Sequence, residues 1–558
     1  MFEKNLKFID NVALKKRLLA LTVEESRWDL SFCMTPSNDY LLMKNDIPID
    51  DINNPREAVK EMLKSTIKQP MGKNDIIITF GIGLGYMLDE TFNAYPSRIY
   101  IYEPDLKLLH FVLNNIDISD HLSSGRVYIT NDLDELTQKL SSSYLTKDKV
   151  EVIYLKNYAV VKNQELLELT QRVYDTCKSK MVDINTIKRF TKSWVVNTIK
   201  NIGTINSSNI YKLSDLENKF AGQSAIVLAA GPSLKENIES IKQNRDKYVI
   251  FAVNKSLRYV LSQGITPDFV VGLDAGYMES TFAGLDEEIK NLNYITDLKS
   301  ENSILTRGFK KVFVSFTGND LIVKKLQQYN TFIKPYETGG SATSFAFIAA
   351  VIMGFEKIVF SGLDLALKDG VVYADGEEAD RISENTILAD NVEKNIVEVD
   401  SVKGDKVKTR EDYAVFVKHF EELIKETGYT EVYNTTSFGA AINGMKNCEF
   451  NKISFSTPSH ITSLILGEVA PFKLELKQWS EEELMLINNI ISMLSKGTYS
   501  PALISSIVKS PLIYQYMQSE VLKVMQSEMS SELAEDFIEK TKLAIKEIVD
   551  LLQKYHII

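Results

Sequence analysis

Short apolar runs recur along the first 445 residues, and their spacing constrains the fold more than any other feature of the chain. Runs of four to six residues, rich in Ile, Val and Tyr, alternate with stretches that have helical spacing. Such runs are typical of strands that are buried on both faces of a parallel sheet. The alternation of strand and helix patterns therefore predicts α/β layers.

These runs fall into two groups, which predict two α/β domains. The first group reads DIIITF, RIYIY, RVYIT and KVEVIY, and the second reads SAIVL, YVIFAV, PDFVVG, KVFVSF and EKIVFS. We predict two Rossmann-like α/β domains followed by an all-helical C-terminal domain. The predicted boundaries are 1–160 for the N-terminal domain, 161–212 for a helical connector, 213–445 for the central domain and 446–558 for the helical domain.

Three serines mark predicted helix starts. Ser214 and Ser480 are each followed by Glu three positions later, which is the pattern of a capping box. Ser530 or Ser531 is predicted to begin a last helix that ends near Tyr555.

Composition excludes several classes of protein. The net charge of −11 and the absence of a basic stripe argue against a nucleic-acid partner. The three cysteines and five histidines are scattered, without CxxC or zinc-type spacing, which favours a reducing compartment and no metal site. The run Phe345–Met353 is far shorter than the ~20 residues of a membrane span, and no signal-peptide core is present. We expect a cytoplasmic protein without a membrane span.

The most informative local signal is the turn after the first strand of the central domain, AIVLAAGPSL. Gly231 lets a ligand approach the backbone, Pro232 fixes the chain direction, and Ser233 can cap the helix that follows. The N–H groups at a helix start bind anions, so the turn suits a phosphate or a nucleotide monophosphate. An ordinary strand-to-helix turn is the alternative interpretation.

Polar residues also end the next two strands. Asn254 follows YVIFAV and can bridge a ribose or a phosphate, or can serve as a turn residue. Asp274 follows PDFVVGL and can hold a ribose hydroxyl or cap a helix.

A second small-residue turn lies farther along the central domain. Thr338, Gly339, Gly340 and Ser341 precede an apolar helix, so they predict a second anion site at a helix start. Two such turns at the carboxyl ends of strands in one sheet indicate one shared cleft, and hence a nucleotide site.

Candidate acid–base groups follow the strand EKIVFS. Asp364 and Asp375 are carboxylates in this region, and Tyr373 is a candidate phosphate contact. A general base must lie within hydrogen-bond distance of the hydroxyl that it deprotonates. For Asp364, a structural role as a loop cap is an equal alternative.

The N-terminal domain carries its own glycine loop, Gly81–Gly85, with Glu103 after the next strand. The loop resembles the S-adenosylmethionine loop of methyltransferases, although its spacing differs from the GxGxxG fingerprint. A purely structural Rossmann-like half is the alternative.

Taken in order, these motifs resemble a known family. LAAGPSL, PDFVVGLDA, TGGSATSFAF, FSGLDLA, VYADG and VYNTTSFGAAINGM resemble the core of the motility accessory factor (Maf) glycosyltransferases. FGIGLGYML with YEPD resembles their N-terminal half, and RFTKSWVVNTIKN resembles their linker. The central piece is also similar to bacterial sialyltransferases that use a CMP-activated sugar, and to an archaeal 6-hydroxymethylpterin diphosphokinase.

The resemblance implies an activity. It implies transfer of a nonulosonic acid, of pseudaminic or legionaminic type, from a CMP-activated donor to Ser or Thr of flagellin, as needed for flagellum assembly and motility. No cofactor or metal is expected beyond the donor substrate. The predicted donor-binding residues are Gly231, Pro232, Ser233, Asn254, Asp274, Thr338, Gly339, Gly340, Ser341 and Tyr373.

The chain departs from the sialyltransferase pattern at the base. Those enzymes use a His downstream of the strand that matches EKIVFS, and here the chain has no His between His121 and His419. The base is therefore predicted among Asp364, Asp375 and Glu337.

Three other functions stay open. A pterin diphosphokinase-like phosphotransferase would bind ATP and magnesium, and a methyltransferase would use the loop Gly81–Gly85. A flagellin-binding chaperone without transfer activity would use the helical C-terminal domain as its binding module.

Overall fold

A computed structural model describes most of the chain as two compact units. The described residues are 1–25, 30–44, 47–145, 147–276, 278–368, 374, 396–455, 462–495, 499–525 and 530–558. The units are residues 1–185 and 186–558. A long helix, α9 (Asn163–Ser207), contains the boundary and occupies most of the segment predicted as a helical connector.

The N-terminal unit is built around a parallel sheet. Its strands are β1 (Leu30–Met34), β2 (Tyr40–Lys44), β3 (Ile47–Pro48), β4 (Ile76–Phe80), β5 (Arg98–Tyr102), β6 (Val127–Thr130) and β7 (Val150–Tyr154). Its other helices are α1 (Phe2–Lys7), α2 (Val12–Leu19), α3 (Pro55–Thr66), α4 (Tyr86–Ala94), α5 (Leu106–Asn115), α6 (Ser119–Ser123), α7 (Leu133–Ser143) and α8 (Lys156–Val161). The order β6-β5-β4-β7 is parallel throughout, which confirms the predicted strands. The antiparallel ribbon β1-β2-β3 was not predicted.

The second unit contains a larger sheet. Its strands are β8 (Tyr211–Lys212), β9 (Ser224–Leu228), β10 (Val249–Val253), β11 (Phe269–Val271), β12 (Asn293–Asp297), β13 (Lys311–Thr317), β14 (Pro335–Tyr336), β15 (Lys357–Ser361), β16 (Ile396–Asp400), β17 (Lys406–Arg410), β18 (Val432–Asn434) and β19 (Lys446–Asn447). Ten of them form one parallel sheet in the order β14-β13-β12-β11-β10-β9-β15-β18-β19, with β8 beside β13. β16 and β17 form a separate hairpin.

Helices surround this sheet and continue to the end of the chain. They are α10 (Leu234–Gln243), α11 (Asn254–Ser262), α12 (Glu279–Phe282), α13 (Asp286–Ile289), α14 (Ser303–Thr306), α15 (Leu321–Gln327), α16 (Ala342–Met353), α17 (Glu411–Thr427), α18 (Thr462–Glu468), α19 (Lys477–Leu494), α20 (Pro501–Lys509), α21 (Pro511–Tyr516), α22 (Gln518–Met525) and α23 (Ser531–Lys554). Short 3-10 turns occupy Leu213–Leu216, Arg245–Lys247 and Phe450–Lys452. Two Rossmann-like α/β layers followed by a helical region confirm the predicted fold class.

In the second unit's sheet, the direction in which successive strands are added changes at β9. The chain proceeds outward from β9 through β10, β11, β12 and β13, and then returns to place β15 on the other side of β9. In doubly wound sheets, ligands bind beside the carboxyl ends of the strands at such a switch point. The topology therefore places the turn after β9 and the loop after β15 at the expected ligand crevice.

The C-terminal helices share a hydrophobic core with one face of this sheet. Trp479, Ile490 and Ile548 are fully buried in the same cluster as Val270 of β11 and Val314 of β13. The C-terminal helices thereby cover apolar sheet surface that would otherwise face water.

One of the three predicted helix starts is confirmed. Ser530 caps α23 by accepting the N–H of Leu533 at 3.1 Å. Ser480 instead lies inside α19, which begins three residues earlier, and Ser214 lies within a 3-10 turn. Both of these predictions were wrong; at Ser480, the hydroxyl donates to the carbonyl of Lys477 rather than accepting an N–H.

Candidate functional site

The turn after β9 and the loop after β15 are joined by main-chain hydrogen bonds at the switch point. Ala229 N donates to Ser361 O at 2.8 Å, and Gly231 N donates to Gly362 O at 2.9 Å. Gly231 and Pro232 remain half-buried, so the turn reaches solvent at the carboxyl edge of the sheet. The sequence-predicted turn and the Asp364 loop are thus brought into direct contact.

The buried side chain of Asp364 forms a hydrogen bond with this turn. Its carboxylate Oδ2 accepts the main-chain N–H of Ser233 at 2.9 Å, and the residue is 2% exposed. A Cβ at Gly231 would lie 2.5 Å from the same oxygen, so no larger residue fits there without a shift. Burial raises the pKa of the Asp364 carboxyl above its usual range, and polar contacts with Ser233 and Thr436 act in the opposite direction.

Ser233 does not cap α10 with its side chain, so that prediction was wrong. The residue has φ −64° and ψ −15°, which is helical rather than the extended conformation that an N-cap adopts. Its hydroxyl is buried and has no hydrogen bond of good geometry within the described part of the chain. The hydroxyl is therefore not used by the helix.

Three hydrogen bonds from other segments of the chain fix the backbone of the loop that carries Asp364. Thr409 Oγ1 donates to Leu365 O at 2.6 Å, and Asn434 Nδ2 donates to Leu363 O at 2.9 Å. The N–H of Ala440 donates to the carbonyl of Asp364 at 2.8 Å. Leu365 has φ +43°, a conformation that is costly for a bulky residue and that persists only where its surroundings enforce it.

Gly439 explains how the loop after β18 approaches Asp364 so closely. A Cβ at Gly439 would lie 2.6 Å from the carbonyl oxygen of Asp364. Sequence reasoning assigned no role to Thr409, Asn434 or Gly439. The signal available for the last two was the motif VYNTTSFGAAINGM, which contains both.

A second cluster lies beside the carboxyl ends of β10 and β11, and it includes a tyrosine from the first half of β12. Tyr294 OH donates to Oδ1 of Asn254 at 2.8 Å, and Asn254 Nδ2 donates to Oδ2 of Asp274 at 3.2 Å. Asn254 and Tyr294 are buried, whereas Asp274 is exposed. Both polar ends of the Asn254 side chain are thus engaged within the protein, and this amide orients the Asp274 carboxylate. Tyr294 was missed because its strand, β12, was not predicted.

The predicted second turn lies at the start of α16. Ser341 caps this helix and forms a reciprocal capping box with Ser344, so its hydroxyl is engaged at the helix start. Gly339 leaves room for Leu423, whose Cδ1 would lie 2.5 Å from a Cβ at this position. Because α16 connects β14 to β15, which run parallel in the same sheet, its N-terminal turn lies at the carboxyl end of the strands, as the turn after β9 does.

The remaining candidate residues are Glu337, Tyr373 and Asp375. Glu337 is exposed, and its Oε1 accepts from Asn319 Nδ2 at 2.8 Å. Tyr373 and Asp375 lie outside the described residues. Among the residues that the structure describes, no group of three or more His, Cys, Asp or Glu side chains is arranged to hold a metal ion.

The glycine loop of the N-terminal unit is filled by the unit's own side chains. The Tyr158 ring lies 2.6 Å from where a Cβ of Gly81 would be, and Asp50 Oδ1 lies 2.5 Å from a Cβ at Gly83. The carboxylate of Glu103 accepts from the Tyr158 hydroxyl and from the N–H of Ile82, the latter at 3.1 Å. In a methyltransferase, a carboxylate at this position would hold the ribose of the cofactor. Here it holds the loop.

Burial raises the pKa of the two carboxyls that contact this loop, Glu103 and Asp50. It raises the pKa of Glu103 to about 7, and it raises the pKa of Asp50 to about 7 as well. Both groups therefore favour their neutral form more than an exposed carboxyl does.

The long helices of the described chain are amphipathic or charged. No helix in the ranges given above is both long and apolar enough to cross a membrane.

One comparison with known proteins concerns the central domain. A family model described as 6-hydroxymethylpterin diphosphokinase MptE-like matches residues 196–370. This match covers β9, β10 and β15 together with the turn at Gly231 and the loop at Asp364.

The whole chain is then similar to one solved structure in particular. The MAf glycosyltransferase from Magnetospirillum magneticum AMB-1 superposes with a TM-score of 0.66 over 99% of this chain and 96% of that chain, at 14% identity. The chain therefore has the fold of a Maf glycosyltransferase, which confirms the resemblance drawn from the motifs at the level of fold.

A sequence relative covers a smaller part. An uncharacterized protein of Treponema pallidum (strain Nichols) is 30% identical over 123 residues, which are 22% of this chain. The chain matches about half, 55%, of that relative's length.

Proposed function

We propose that this protein is a cytoplasmic glycosyltransferase that moves a nonulosonic acid from a CMP-activated donor to Ser or Thr of flagellin. The observation that carries the proposal is the pair of hydrogen-bonded loops after β9 and β15 at the switch point of the sheet. There a turn with half-buried Gly231 and Pro232 and a buried Ser233 precedes α10, and the Asp364 carboxylate accepts the N–H of Ser233. The shared fold with a Maf glycosyltransferase supports the same reaction class.

The crevice suits the phosphate of a CMP-activated sugar. The N-terminal end of α10, where the aligned peptide dipoles leave a partial positive charge, would stabilise the negative charge that develops on CMP as it leaves. Asp274, oriented by Asn254, would accept hydrogen bonds from the ribose hydroxyls. The start of α16 after Ser341 would supply a second set of N–H groups to the donor.

The chemistry is a single displacement at the anomeric carbon. The bond to the CMP phosphate breaks, a bond to the flagellin hydroxyl oxygen forms, and a carboxylate takes the proton of that hydroxyl. Of the candidate bases within the described residues, Glu337 is exposed whereas Asp364 is 2% exposed. Glu337 is therefore the better placed of these two to meet a protein acceptor.

Co-expression with flagellin tests the proposal directly. The chain is produced together with flagellin and an enzyme set that makes a CMP-nonulosonic acid, and the intact mass of flagellin is measured. A mass increment equal to the sugar acid supports the transferase. Flagellin that co-purifies with the chain but keeps its unmodified mass supports the chaperone instead.

The donor site is tested by replacing Ser233. Ser233→Phe places a ring where the structure has a fully buried hydroxyl, so we expect CMP binding by calorimetry and flagellin modification both to be lost. Ser262→Phe, at the exposed end of α11, is the matched control and should retain both. Wild-type CMP affinity in Ser233→Phe would contradict the proposed site.

A phosphotransferase is the second candidate, because the MptE-like family model covers this crevice. That activity would require ATP with magnesium. Parallel titrations of CMP and of ATP with magnesium separate the two functions, since the glycosyltransferase binds CMP without added metal. Binding of ATP with magnesium, and not of CMP, would favour the phosphotransferase.

A further inference from the structure

We propose that Asp364 is a positioning residue that fixes the shape of the Gly231–Ser233 turn, and that it is not the group that deprotonates the acceptor. This inference deepens the proposed function and rests on it for its binding and transfer measurements. It begins from one contact: Oδ2 of Asp364 accepts the N–H of Ser233 at 2.9 Å, across 131 residues of sequence.

The surroundings of Asp364 leave it little freedom. Gly231 packs against the carboxylate on one side, where even a Cβ would lie 2.5 Å from Oδ2. Gly439 packs against the main chain of Asp364 on another side, where a Cβ would lie 2.8 Å from its Cα. A base that must reach the hydroxyl of a protein needs an approach path, and these close contacts occupy two sides of the residue.

The backbone of the loop is fixed as firmly as the side chain. Ala440 binds the carbonyl of Asp364, Thr409 binds the carbonyl of Leu365, and Asn434 binds the carbonyl of Leu363. The positive φ of Leu365 is a cost that these contacts offset. Such an arrangement is suited to holding a hydrogen-bond acceptor still, because any movement of Asp364 would break several bonds at once.

The two carboxylate oxygens differ in a way that makes the role testable. Oδ2 receives the Ser233 N–H, whereas Oδ1 is buried without a hydrogen bond of good geometry among the described residues. An asparagine can place its carbonyl oxygen at Oδ2 and its NH₂ group at Oδ1, where no N–H opposes it. The amide therefore preserves the contact to Ser233 but cannot act as a base.

The experiment compares Asp364→Asn and Asp364→Ala with wild type, and uses Asp246→Ala, an exposed aspartate of the same unit, as control. Hydrogen exchange of peptides covering residues 229–238 reports the turn, calorimetry with CMP reports the donor site, and the initial rate of flagellin modification gives kcat and KM. We expect Asp364→Ala to exchange faster in this segment and to bind CMP about 10-fold to 100-fold more weakly. We expect Asp364→Asn to restore both values to within about threefold, with kcat reduced by less than about tenfold.

Several outcomes would overturn the inference. Asp364→Asn that exchanges and binds CMP like wild type but loses about 100-fold or more in kcat would make Asp364 the base. Unchanged exchange and CMP affinity in Asp364→Ala would show that Asp364 does not hold the turn. If Asp364→Ala does not fold, the kcat of Asp364→Asn decides. If wild type does not bind CMP, the proposed function fails, and hydrogen exchange alone still tests whether Asp364 fixes the turn.

Discussion

The hydroxyl of Tyr294 donates to Oδ1 of Asn254 at 2.8 Å, beneath the exposed carboxylate of Asp274. Tyr294→Phe removes the donor and leaves a buried amide oxygen without a partner, so the Asn254 amide no longer fixes Asp274. We expect a loss of about 1–3 kcal/mol in the free energy of unfolding, together with weaker CMP binding. Thermal denaturation and calorimetry measure the two effects. Tyr154→Phe, at an exposed position, is the control. If the two variants have the same stability and the same affinity for CMP, the Tyr294 hydroxyl does not position Asn254 and Asp274.

Gly231→Ala tests the close approach of the turn to Asp364. The added Cβ would lie 2.5 Å from Oδ2 of Asp364 and 2.6 Å from the carbonyl oxygen of Gly362. The second contact is with the backbone, which cannot move aside as a flexible side chain can. We expect a destabilisation of about 1–3 kcal/mol and loss of CMP binding, because the turn must move away from the loop. Gly467→Ala in α18, whose Cβ would meet no atom within 4 Å, should be neutral or slightly stabilising. A Gly231→Ala protein with wild-type stability and affinity would show that the turn tolerates the side chain.

The buried carboxyl of Glu103 predicts a pH dependence of the N-terminal unit. Its pKa rises from 4.5 to about 7 on folding, so the native state binds more protons than the unfolded state between these values. The contribution of this group to the free energy of unfolding is therefore fully present below about pH 4.5 and is lost as pH rises through about 7, by on the order of 3 kcal/mol.

Glu103→Gln isolates this contribution. Asp50 titrates in the same direction and remains in the variant, so the pH slope should become shallower without vanishing. Urea unfolding of the N-terminal unit at pH 5 and pH 8, followed by hydrogen exchange of the strands β4 and β5, measures the slope. Glu61→Gln on the exposed face of α3 should keep the wild-type slope. An unchanged slope in Glu103→Gln would mean that Glu103 does not carry the effect.

The filled glycine loop predicts that the N-terminal unit does not take up S-adenosylmethionine. Tyr158 and Asp50 occupy the space beside Gly81 and Gly83, and Glu103 is bound by Tyr158 and the loop. Equilibrium dialysis of the purified protein with labelled S-adenosylmethionine should show no retained ligand. Stoichiometric binding with slower hydrogen exchange in residues 81–86 would revive the methyltransferase hypothesis.

The sequence predicted all four strands of the first parallel sheet given above and five of the ten in the second, because continuous apolar runs such as Ile76–Phe80 and Ser224–Leu228 require burial on both faces. β12 was missed since Tyr294 and Ile295 are flanked by Asn, Thr and Asp, which makes NYITD resemble a loop. The structure buries all five of its residues, because polar groups can be accommodated where neighbouring strands and side chains bind them.

The sequence predicted which turns form the candidate site, but not which residues contact one another within it. The residues near Gly231, Asp274 and Ser341 could be chosen because each follows a strand at the carboxyl edge of the sheet. Ser233 was expected to cap α10, yet its N–H is bound by a carboxylate 131 residues away. A local pattern cannot show such a partner, since the partner is set by how β9 and β15 pair.

The contact between Gly439 and Asp364 has a consequence for folding during synthesis. Gly231 leaves the ribosome about two hundred residues before Gly439, and the loop that holds Asp364 stays incomplete during that interval. In a nascent chain, translation must therefore pass the loop after β18 before all contacts to Asp364 can form. Products that terminate before Asp364 would carry the Gly-Pro-Ser sequence without the carboxylate that binds the N–H of Ser233.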